Sequence, residues 1–98
     1  MPDSSCIHLD LSHCQTLYEL HQRIREAFDF PDWYGCNWDA FYDLMRTDVA
    51  ANKVIITGEY SVATDLLDEL DNLHQVLQLL VQFNLNVMHE IFTYEILS

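Results

Sequence analysis

The chain reads as an α/β domain, a three-stranded parallel sheet with about four helices packed around it. Three observations lead there. Strand-like segments open, divide and close the 98-residue sequence. The stretches between them carry apolar residues at helical steps. Those stretches are also long, and long helical crossovers join parallel strands, whereas antiparallel neighbours need only a tight turn.

Each element has its own signal. Residues 6–11 alternate, with Ile7, Leu9 and Leu11 on one side and Cys6, His8 and Asp10 on the other, the period of a strand. Thr16 and Glu19 have the spacing of a capping box, and Leu17, Leu20, Ile24, Ala27 and Phe28 follow as a helical stripe. Pro31 disfavours helix at Phe30, which ends this first helix near Phe28. Asn37 is a good N-cap for a second helix. Trp38, Phe41, Leu44 and Met45 make its inward face, and Asp39, Tyr42, Asp43 and Arg46 its outward one. The apolar run at residues 53–57, closed by Gly58, suits a strand covered on both faces. Ser61 opens a short helix carrying Leu66, Leu67 and Leu70. Asn72 caps another, in which Leu73, Val76, Leu77 and Leu80 keep helical spacing. Residues 84–86 break that pattern, and residues 87–96 read as the last strand.

Length and composition bound the rest. Residues 1–98 make one domain with one core, and an apolar half of the chain is enough to fold it. Sixteen acidic residues stand against four basic ones, a net charge of −12. Nucleic acid and anionic membrane are therefore poor partners, because phosphate is repelled. A basic protein is the natural partner, and charge would speed the encounter; the plainer use of such charge is solubility. Cys6, Cys14 and Cys36 form an odd set with no CxxC pair, which fits a reducing cytoplasm better than a disulfide framework. The opening Met-Pro-Asp-Ser-Ser lacks the basic and apolar parts of a signal peptide. No run of about 18 apolar residues is present to span a membrane.

The informative stretch is residues 29–48. It holds five acids (Asp29, Asp32, Asp39, Asp43, Asp48) against one base, Arg46, together with Trp33, Tyr34, Trp38 and Tyr42. Asp39, Tyr42 and Asp43 stand at i, i+3 and i+4, neighbours on a helix. Like charges at that spacing cost about 0.2–0.5 kcal/mol. A fold gains nothing from them, but a surface that receives cations does. Tyr and Trp are enriched at binding hot spots. The competing reading is a solvated acidic face with half-buried aromatic rings above the core.

Catalysis finds less support. Cys36 precedes a helix, a setting that activates thiols, and residues 35–41 echo the papain-type cysteine site. An extra residue separates Cys36 from Trp38, however, and the chain is too short for the distant His and Asn. His8, His13, His21, His74 and His89 are scattered, with no HExxH; His8 and His89 fall in expected strands. Asp39 and Asp43 lack the further carboxylates or phosphate loop that Mg²⁺ requires. No catalytic residue, metal or cofactor is expected.

The run Pro31, Asp32, Trp33, Tyr34, Gly35, Asn37, Trp38, Asp39, Ala40, Phe41, Tyr42, Asp43 resembles the barstar family of intracellular ribonuclease inhibitors at every patterned position. Leu20-His21-Gln22, Val76-Leu77-Gln78 and the Ile96-Leu97-Ser98 ending extend the likeness over about residues 16–98. The resemblance implies a barstar-like fold and no catalytic activity. It also implies that the second helix and the loop before it plug a ribonuclease active site. Carried over, Trp33, Gly35, Asn37, Asp39, Tyr42 and Asp43 occupy contact positions, and Tyr34 joins them as partner-binding.

Departures lie at the rim. Gln82 stands where the family has an acidic contact. Arg46 replaces a small polar residue and would partly neutralise Asp43. Asp48 replaces an aromatic, and about three extra residues precede the final strand. These differences imply a 1:1 partner other than barnase. That partner is either a secreted ribonuclease of the same cell or a ribonuclease toxin domain for which this chain is the immunity protein. The alternative is an acidic nucleic-acid mimic that regulates a basic protein which is not a nuclease.

Overall fold

A computed structural model describes residues 6–47 and 52–97. Asp48 and Ser98, named above, lie outside the described residues, as does the opening Met-Pro-Asp-Ser-Ser. The order is β1 (Cys6–Asp10), α1 (Leu17–Phe28), α2 (Trp38–Thr47), β2 (Lys53–Thr57), α3 (Leu67–Phe83) and β3 (Thr93–Leu97). The strands form one parallel sheet in the order β1-β2-β3. Cys6 pairs with Lys53 at one end of the first ladder, and Lys53 pairs with Thr93 in the second. The parallel three-stranded sheet is as expected, and so is the first helix.

Local chemistry accounts for the helix ends. Thr16 Oγ1 accepts from the Glu19 N–H (3.1 Å), and Glu19 Oε1 accepts from the Gln15 N–H (2.9 Å), so the box closes one residue early. Asp29 ends α1 in the left-handed region (φ 56°), and its N–H reaches back to the Arg25 and Glu26 carbonyls. Asn37 Oδ1 accepts from the Ala40 N–H (2.8 Å), the N-cap of α2. After β2, Gly58 has φ 82°, and a Cβ there would lie 2.4 Å from Ser12 Oγ, so only glycine fits this turn.

The structure corrects the expected layering. Val54 and Ile56 of the central strand are fully buried, while Lys53, Ile55 and Thr57 are half-exposed. The helices therefore cover one face of the sheet. The other face carries polar pairs instead: His8 Nε2 lies 3.0 Å from Thr57 Oγ1, and Lys53 Nζ lies 3.5 Å from Glu95 Oε1. A sheet that presents hydrogen-bonding side chains outward needs no second helical layer. Leu9, Leu11, Leu20, Ile24, Phe41, Leu73, Leu77 and Leu80 meet on the covered face as part of one core.

The helix count is also corrected, to three α-helices among the described residues. Two short 3₁₀ turns, Glu59–Ser61 and Thr64–Leu66, lead into α3. Asn72 does not cap a fourth helix; it lies inside α3, and its Nδ2 donates to Glu69 Oε1 (3.3 Å). The buried stripe Leu70, Leu73, Leu77, Leu80 runs through it at steps of three and four. Burial of that stripe outweighs the small local cost of an interior Asn. The last strand begins at Thr93, not Val87. Residues Asn84–Met88 form a π-helical turn, in which Asn84 Nδ2 donates to the Leu80 carbonyl (2.8 Å). His89, expected in that strand, ends the turn with φ 56°.

Candidate functional site

The loop between α1 and α2 is pinned from below. Phe30 is buried and stacks on Phe28, with ring centres 5.4 Å apart. It also meets Tyr34 at 5.0 Å and Phe41 at 6.0 Å. The Tyr34 N–H donates to the Pro31 carbonyl (3.0 Å), closing a turn whose tip carries Asp32 and Trp33. Asp32 pairs with Arg25 at 3.2 Å. The Trp33 side chain is 72% exposed. Asn37 Nδ2 donates to the Gly35 carbonyl (3.1 Å). A Cβ on Gly35 would sit 3.1 Å from that same nitrogen, so the missing side chain leaves room for the Asn37 amide to fold over the loop.

Tyr34, expected among the partner-binding residues, lies beneath the loop with only 5% of it exposed. Its hydroxyl shares a 2.8 Å hydrogen bond with His21 Nδ1, and no buried polar side-chain atom among the described residues lacks a partner. Burial pushes the Tyr34 phenol well above its ordinary range and holds the His21 imidazole below its own. Both groups are therefore neutral at pH 7, and the pair is an uncharged strut beneath the loop. An aromatic residue buries its ring whenever the chain curls over the core, and a tyrosine needs a partner for its hydroxyl there.

On α2 the expected faces hold. Phe41, Leu44 and Met45 are buried, Asp39, Asp43 and Arg46 are exposed, and Tyr42 is half-buried. Trp38, expected inward, is half-buried at the core's edge. Its indole rests against His21 (4.7 Å) and Phe41 (5.9 Å), and its Nε1 donates to Glu69 Oε1 on α3 (2.9 Å). Asp39 lies in the first turn, where the helix dipole favours a carboxylate. Among the described residues no cation pairs with it. Asp43 accepts a hydrogen bond from the Arg46 guanidinium. That guanidinium also lies over the Tyr42 ring, 4.5 Å from its centre, and 5.5 Å from the centre of the Phe83 ring on α3. Gln82 is exposed on α3, next to Phe83.

The structure thus brings Trp33, Gly35, Asn37, Asp39, Tyr42, Asp43 and Arg46 into one continuous loop-and-helix segment. Sequence reasoning missed its supports: His21, Glu69 and Phe83, which brace Tyr34, Trp38 and Arg46. No local signal marks them, because each acts across distant parts of the chain. The alternatives gain nothing here. The Cys36 thiol accepts from the Gln22 amide at 3.9 Å and has no histidine partner among the described residues. No group of three or more His, Cys, Asp or Glu among the described residues could hold a metal ion. No helix among them is long and apolar enough to cross a membrane.

Chemically, the segment offers an open carboxylate, a second carboxylate in an ion pair, and aromatic surface on a braced frame. That suits charge-assisted hydrogen bonds to a cationic protein. No curated protein and no solved structure matches the chain. The family model described as Barstar (barnase inhibitor) matches residues 4–93, nearly the whole chain, including every residue of the loop and of α2. The chain belongs to the barstar family, whose members are ribonuclease inhibitors rather than enzymes.

Proposed function

We propose that the chain binds a ribonuclease one to one and inhibits it by inserting α2 and the preceding loop into the active site. A ribonuclease holds RNA phosphate with Arg, Lys and His. Asp39 and Asp43 stand in for that phosphate, forming charge-assisted hydrogen bonds, while Trp33 and Tyr42 exclude water around them. The observation that carries this reading is the split of α2. Its carboxylates face solvent while Phe41, Leu44 and Met45 lock the opposite side into the core. Such a helix is presented without refolding, which keeps the entropic cost of binding low. The target is a secreted ribonuclease of the same cell or a ribonuclease toxin domain. The chain acts in the cytoplasm, a compartment supported by its free cysteines Cys6, Cys14 and Cys36.

The test is RNA cleavage by ribonucleases secreted by the source cell or encoded beside this gene, titrated with the protein. Inhibition should saturate at one equivalent, with an interface of about 1,600 Å². Asp39→Ala or Asp43→Ala should each weaken binding by at least ~2 kcal/mol, a hot-spot threshold for which barnase–barstar is itself a reference system. Full inhibition by both variants would remove α2 from the mechanism.

A further inference from the structure

Arg46 is held from three directions. Its guanidinium bonds the Asp43 carboxylate from one turn further along α2, covers the Tyr42 ring and reaches the Phe83 ring on another helix. An exposed i, i+3 pair alone is weak and transient. Two ring faces give a planar cation further attraction, and Phe83 ties it to a second element. The side chain still keeps 30% of its surface exposed. Asp43 is therefore presented as half of a neutral pair whose cation is braced beside it and still reachable, and Asp39 is the open charge of the helix.

This asymmetry bears on what can dock. A cation approaching Asp43 meets the Arg46 charge at a distance shorter than the Debye length, where salt screens little. Like charges brought together across an interface are a strong source of discrimination. We propose that Arg46 is a specificity-determining residue. It admits targets that place an acceptor, a carboxylate or carbonyl oxygen, opposite its guanidinium beside the cation that meets Asp39. It weakens binding to ribonucleases whose phosphate pocket is cationic throughout. The proposal rests on α2 being the inhibitory face.

Barnase, the ribonuclease in the family's own description, is the probe. Association and dissociation rates are measured for wild type, R46A and R46K over a range of salt concentrations. R46A should bind barnase at least about tenfold tighter, mainly through faster association with a steeper salt dependence, because rim charges act on the encounter. R46K keeps the charge but loses the planar stack, so it should fall between the two. A merely structural role for Arg46 would make R46A bind more weakly. R46A binding no tighter than wild type overturns the proposal, and so does undetectable binding by both. The Asp39→Ala variant separates the two levels of the argument. If it weakens binding while R46A changes nothing, the clasp fails and the inhibitory face stands; if neither variant matters, both fail.

Discussion

Two linkers of equal length behave differently in this molecule. Nine residues join α1 to α2, and nine join α3 to β3. The first buries Phe30 and Tyr34, and its rings form a lattice with Phe28, His21, Trp38 and Phe41. The second buries Phe92 alone and leaves Leu85, Val87, Met88 and Ile91 exposed. What separates the two is the number of side chains anchored beneath each loop, not its length. Loops carry function when a rigid scaffold positions them. The first linker brings its own scaffold.

The comparison can be broken most directly at Phe41, the fully buried ring on which Phe28, Phe30 and Trp38 converge. Phe41→Ala should cost about 3–5 kcal/mol in urea unfolding. A loss below ~1 kcal/mol would mean that the aromatic lattice does not hold the site. Next in size is Tyr34→Phe, which removes the hydroxyl facing His21 and leaves a buried imidazole nitrogen without its partner. The expected cost is about 1–3 kcal/mol, with weaker binding as the loop loosens. Unchanged stability would show that water replaces the hydroxyl.

A pH series sharpens the same point. Burial depresses the His21 value below its ordinary 6.5. The unfolded chain then takes up a proton that the folded chain refuses. Stability from this group is full above pH 6.5 and declines as the pH falls through the lowered folded value. Melting temperatures at pH 7.5 and 5.5, with an NMR titration of the His21 ring, measure it. A His21 midpoint at or above 6.5 contradicts the buried neutral strut. The smallest effect belongs to the other linker: Ile91, 74% exposed, should tolerate Ile91→Ser within about 0.5 kcal/mol. A larger loss would reveal packing that the exposed surface does not suggest.

Much of this was legible in advance because its causes are local. Alternation marked β1, the Thr16 cap and the Leu20–Ile24–Phe28 stripe marked α1, and Asn37 marked the start of α2. The outward position of Asp39 and Asp43 followed from helical spacing alone. The burial of Tyr34 is not legible there, because a tyrosine beside an exposed tryptophan reads as surface until the chain is folded over it. The last linker reads as strand because Val87, Ile91 and Phe92 are strand-like residue types, while the Asn84 carbonyl closes the turn by accepting from the His89 and Glu90 N–H groups.

By itself, the order of residues determined the parallel α/β architecture and the acidic helix face, since periodicity and capping are written within one or two turns of chain. Only the tertiary structure decided that one face of the sheet stays open, that α3 runs unbroken through Asn72, and that Arg46 is clasped between two helices. Those outcomes depend on which surfaces meet. The partners, such as Trp38 with Glu69 or Arg46 with Phe83, are far apart in sequence, so no local spacing announces them.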